Sequence, residues 1–151
     1  LSFYLALSLH LLGAAVWVGG HLVLVISVLP DALRRRRASI VTEFEHRFER
    51  VGMPALALQV LTGLWLAERL LGPVDNWFDA DPLARAVQAK LALLALTAAL
   101  AAHARWRVIP RLTDDNLQVL AWHIRAVSLI GVLFVLVGAS IRLGGYPIFT
   151  D

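Results

Sequence analysis

Residues 1–30 read LSFYLALSLHLLGAAVWVGGHLVLVISVLP and contain no Asp, Glu, Lys or Arg. An uncharged apolar run of this length is long enough to cross a bilayer as an α-helix. Two histidines interrupt it, His10 and His21. An ionisable side chain inside a membrane helix is costly and marks a candidate functional site. Eleven residues advance a helix by about 16 Å and return it to within about 20° of the same face. His10, Ala14, Trp17 and His21 therefore share one stripe, with an imidazole in each leaflet. That placement suits a buried prosthetic group better than ordinary packing.

Composition agrees with a membrane location. At 151 residues the chain is expected to form a single domain, 1–151. It is 59% hydrophobic and 17% charged, whereas soluble domains are about half apolar and about a quarter charged. The mean hydropathy is +0.71. A pI near 10.2 does not indicate a nucleic-acid partner, because the arginines lie between apolar runs, where membrane topology accounts for them. Cysteine is absent, which excludes disulfides, thiolate metal sites, iron–sulfur clusters and thiol catalysis. Met53 is the one methionine. The first segment does not read as a secretory signal, since it lacks a basic start and its apolar part is too long.

The punctuation predicts an all-α, integral-membrane four-helix bundle with helices at about 2–29, 42–71, 82–109 and 113–143. Pro30-Asp31 stops the first helix. Thr42-Glu43-Phe44-Glu45 reads as a capping box for the second, and Gly72-Pro73 ends it. Asp81-Pro82 starts the third as N-cap and N1, and Pro110 stops it. Gly144-Gly145 closes the fourth. The charge-free cores of the last three helices fall short of about 20 residues. Lys90, Arg125 and Arg142 must therefore snorkel or face the interior.

Ten of the fourteen basic residues fall in or beside the first and third connections, including Arg34, Arg35, Arg36, Arg37, Arg105, Arg107 and Arg111. The positive-inside rule then places both termini outside and the arginine loops in the cytoplasm; the expected location is a bacterial inner membrane, as a multi-pass protein with periplasmic termini. In the outer connection, GPVDNWFDADP, Trp77 and Phe78 read as interfacial anchors. Glu68-Arg69 reads as an interfacial ion pair. The short cores fit a homo-oligomer or a subunit of a larger membrane complex.

Depth arithmetic pairs the histidines. His21 and His103 fall at one level in the cytoplasmic half; His10 and Lys90 fall at one level nearer the outside; His123 and His46 lie near the cytoplasmic surface. Haem b is held by axial side chains, commonly histidine, in the cores of helix bundles. His21 and His103 are the candidate axial pair, with His10 serving a second haem or an open site. Gly13, Gly19, Gly20, Ala92, Ala95, Ala99 and Ala102 would leave room for a macrocycle, although such residues also serve close helix packing. Arg105 and Arg107 would hold propionates. His123 is a further candidate ligand. Gln59, in the middle of the second helix, needs a buried partner.

The strings HLLGAAVWVGG, RFERVGMPALALQVLTGLWLA and QAKLALLALTAALAAHARWRVIPRL, together with the start of helix 4 around Arg125, resemble the integral-membrane domain of the copper-resistance D (CopD) family. They resemble the HemJ-type protoporphyrinogen oxidases more distantly. The CopD resemblance implies copper import or handling. The HemJ resemblance implies haem b, porphyrinogen oxidation and roles for His10 and Lys90.

Three readings follow. The first is a membrane haem b protein, with one or two haems, passing electrons between quinone or a periplasmic donor and a partner. The second is a copper permease, which would have to use imidazole because sulfur ligands are scarce. The third is a haem-dependent oxidoreductase acting on a porphyrinogen-like substrate; enzymatic activity is left open. In each, His10, His21 and His103 are the metal-ligand candidates, and membrane lipid surrounds the bundle.

Overall fold

The computed structural model describes residues 1–145 and 148. Among the described residues there are helices and no strands. Four spans, Phe3–Arg35, Ala38–Leu71, Pro82–Arg111 and Leu117–Ile141, are each long and apolar enough to cross a membrane. Large apolar side chains such as Tyr4, Leu12, Ile26, Leu61, Trp106 and Leu129 face outward. Such a surface is solvated by lipid, and helices satisfy their backbone internally there. The chain is a multi-pass membrane protein.

The first span continues through the proline expected to stop it. Helix α1 (Phe3–Val23) passes into a π-helical turn, Leu24–Val28, and then into α2 (Leu29–Arg35). Pro30 has no N–H, so the carbonyl of Ile26 loses its α-helical donor. The ladder shifts by one residue, and Leu29 N–H donates to Leu24 O. Local π adjustments of this kind re-satisfy backbone freed by proline in membrane helices. The same device recurs before Pro110. Helix α4 (Pro82–His103) leads into a π turn, Ala104–Val108, where Ile109 N–H donates to Ala104 O, and then a 3-10 turn, Ile109–Arg111.

Helix α3 (Ala38–Leu71) begins four residues before the expected capping box. Thr42 Oγ1 instead donates back to Ser39 O at 3.2 Å. The start of α3 is capped from elsewhere: Asp114 Oδ1 accepts from Ala38 N–H at 2.7 Å. Helix α5 (Leu117–Ile141) starts later than expected. Thr113 and Asn116 form a closed turn ahead of it, with Thr113 N–H donating to Asn116 Oδ1 at 2.8 Å. The Asp81 cap is as read, accepting from Leu83 N–H and Ala84 N–H at 3.0 and 3.1 Å.

Two readings at the connection between α3 and α4 are corrected. Trp77 is 7% exposed and donates its indole N–H to Gly72 O at 3.2 Å. It packs with Ala67 and Val87 as a small core, so Phe78, 72% exposed, is the aromatic left at the surface. Arg69 lies over the Trp65 ring at 5.0 Å rather than pairing with Glu68. Consecutive residues on a helix diverge, whereas positions four apart meet.

The larger core lies at the arginine-rich end. Leu24, Leu29, Val41, Leu117, Leu120 and Ile124 are buried there among the ends of four helices. Helix α1 packs mainly on α3 and also on α5, while α4 packs mainly on α5. This order decides which histidines can meet.

Candidate functional site

His10 crosses from α1 to α3. Its Nδ1 lies 2.9 Å from Gln59 O and 3.2 Å from Thr62 Oγ1. A carbonyl only accepts, so Nδ1 carries the proton and Nε2 is left with its lone pair. Thr62 donates its own proton to Leu58 O at 2.6 Å. Lys90 of α4 lies close enough to act on His10 electrostatically. Its ammonium packs where a Cβ on Gly138 would come within 3.2 Å, so it faces the interior rather than snorkelling. Gln59 Oε1 is buried without a hydrogen-bond partner among the described residues. Its backbone carbonyl, not its side chain, serves His10.

His21 lies one level further along α1. Its Nδ1 donates to Trp17 O at 2.8 Å. Its ring sits 4.4 Å from that of buried Trp17 and edge-on to Phe48 at 5.8 Å. Its own carbonyl accepts from Ser128 Oγ of α5 at 3.1 Å. The structure does not bring His21 into contact with His103. Helices α1 and α4 are not principal packing partners, so equal depth does not make these residues neighbours.

His103 meets His123 instead. Its Nδ1 lies 2.8 Å from His123 Nε2. The ring planes are within 15° and the centroids 5.0 Å apart. With the nitrogens this close, the rings meet edge to edge, almost in line. His123 Nδ1 donates to Val119 O at 3.0 Å. The tautomers follow in sequence: His123 holds its proton on Nδ1, its Nε2 accepts from His103 Nδ1–H, and His103 Nε2 remains bare. An open cavity of about 320 Å³ borders His103 and is lined also by Arg107, Arg111 and Asn116. Sequence reasoning named both histidines without pairing them. A usable signal was present, since the two lie equally far from the turn at Thr113, and antiparallel neighbours joined by a short loop match such positions.

The remaining candidates are dispersed. Arg105 pairs with Glu49 at 3.6 Å, both side chains exposed. His46 is exposed. The small residues do not frame a shared space. A Cβ on Gly13 would meet Ala55 O at 2.8 Å, and one on Gly20 would meet Phe48 Cζ at 2.1 Å. These glycines admit neighbouring helices. Ala92, Ala95 and Ala99 lie on the exposed face of α4. No cluster of three or more His, Asp or Glu side chains is placed to hold a metal among the described residues.

Fold and site together define a four-span membrane protein with imidazoles at successive depths, three of them anchored through Nδ1 to a backbone carbonyl. Comparison with known families matches residues 42–141 to CopD, copper resistance protein D. The match covers more than half of the chain, which belongs to that family. It includes Lys90, His103 and His123, while His10 and His21 precede it. The HemJ-type likeness has no counterpart among these findings. No curated protein and no solved structure matches the chain.

Proposed function

We propose that this chain handles copper within the bacterial inner membrane, moving cuprous ion between imidazoles at different depths. The whole of residues 1–151 acts as one domain, with both termini outside and the arginine-rich connections in the cytoplasm. Family membership supports the cargo. The single structural observation that carries the reading is the fixed tautomer of His10, His21 and His123, each with Nδ1 on a carbonyl and Nε2 bare. Ligating histidines commonly have this arrangement, with the second ring nitrogen held by a backbone carbonyl. With no cysteine and one methionine, imidazole is the available donor for copper.

In this mechanism the protein supplies weak, separated stations rather than one closed cage. Gln59 O orients His10, and Trp17 O orients His21.

The test is uptake of Cu⁺ into proteoliposomes holding the purified chain. The expected result is uptake that falls when His10 or His21 is replaced by alanine. Uptake equal to that of empty vesicles would overturn the proposal. A reduced-minus-oxidised spectrum on the same sample checks the competing haem b reading. Stoichiometric Soret and α bands would favour that reading, along with its quinone or periplasmic redox partner.

A further inference from the structure

We infer that His103 and His123 form a two-coordinate cuprous site at the arginine-rich end of the bundle. The inference rests on the copper reading above and adds a specific ion and a specific pair of atoms. His103 Nδ1 and His123 Nε2 face each other at 2.8 Å, with ring planes within 15°. A single proton occupies the line between two lone-pair directions. Replacing that proton by a metal ion gives an in-line N–metal–N unit.

The chemistry balances without a redox step. Cu⁺ bonds to His103 Nδ1 and to His123 Nε2, and the proton leaves His103 Nδ1 for the bare Nε2 of the same ring. No net proton is released and copper stays monovalent. His123 keeps its Nδ1–H on Val119 O, so one ligand is held while the other adjusts. Imidazole–metal bonds are about 2.0 Å, so the two nitrogens must part to about 4 Å. His103 is the ring able to move. It is exposed, stands at the last position of α4 and directly precedes the π turn Ala104–Val108.

The donor count selects the ion. No third His, Asp or Glu joins the pair among the described residues. Zinc in protein sites takes four ligands, and cupric ion prefers a tetragonal set. A filled-shell monovalent ion accepts two in-line nitrogens. Arg107 and Arg111 line the cavity beside His103, and neither is paired with a carboxylate among the described residues. Their charge weakens cation binding, which suits an exit station better than a store.

The test is titration of the detergent-purified full chain with Cu⁺ against a chromophoric Cu⁺ chelator, together with X-ray absorption of the loaded protein. The expected result is one equivalent with two short Cu–N bonds, lost in His103→Ala and in His123→Ala and kept in His46→Ala. The pair proposal is overturned if both variants retain that equivalent, if Zn²⁺ competes for it as well as Cu⁺ does, or if the absorption spectrum requires four ligands. Circular dichroism of each variant separates loss of the site from loss of the fold. Vesicle uptake separates the two readings: uptake by the unaltered chain with no bound equivalent at the pair sinks the pair alone, whereas binding at the pair without vesicle uptake sinks the transport reading alone.

Discussion

Gly13 and Gly19 differ in surroundings despite sharing a helix. At Gly13 an added Cβ meets the backbone oxygen of Ala55 at 2.8 Å, and at Gly19 nothing lies within 4 Å. Backbone cannot step aside as a side chain can. Gly13→Ala should therefore push α1 from α3 and cost about 1–3 kcal/mol, whereas Gly19→Ala should be neutral. Thermal denaturation in detergent, with both variants side by side, checks this. Gly13→Ala should also lengthen the His10–Gln59 hydrogen bond one turn away. The sequence showed that glycines cluster in the first helix. It did not show which of them a neighbour fills, because that depends on the partner helix. Gln59 is similar: its need for a partner was legible, but the outcome divides between a backbone carbonyl that serves His10 and a side-chain oxygen without a hydrogen-bond partner among the described residues.

Helix existence was legible, and helix ends were less so. Apolar runs and the Asp81-Pro82 start carried the four spans. The stop placed at Pro30 failed because a π turn ahead of the proline satisfies the carbonyl that the missing N–H would orphan; the same π turn precedes Pro110, yet there the span ends at Arg111, one residue past the expected stop. Span ends are instead set by Arg36, in the left-handed region at φ 51°, and by the Asp114 cap on Ala38. A side chain in the left-handed conformation costs about 1–2 kcal/mol that glycine avoids. Arg36→Gly is expected to stabilise the chain by about 1 kcal/mol, and Asp114→Ala to destabilise it by about 1 kcal/mol through loss of the cap. Denaturant titration in a fixed micelle reads both.

For the complete bundle, the helix order mattered more than any one helix. Depth could be counted along each helix, but not which helices touch. Since α4 packs mainly on α5, His103 found His123. The orientation in the membrane belongs with these questions of assembly. Reporter domains fused after Arg37 should be active in the cytoplasm, and those fused before Leu1 active in the periplasm. The reverse pattern would invert the proposed direction of the imidazole series. Replacing Arg34, Arg35 and Arg37 together with Gln should produce a mixture of the two orientations, since the bias of Lys and Arg between loops sets topology.

The hydrogen bond from Ala38 to Asp114 joins residues 76 positions apart. At about 5–20 residues per second of synthesis, the N-terminal helix pair would wait roughly 4–15 s for its carboxylate to be made. Until then the first N–H of α3 has water as its acceptor. Nascent chains stalled short of residue 114 should therefore show rapid amide exchange at Ala38, with protection arriving only once the later hairpin has docked.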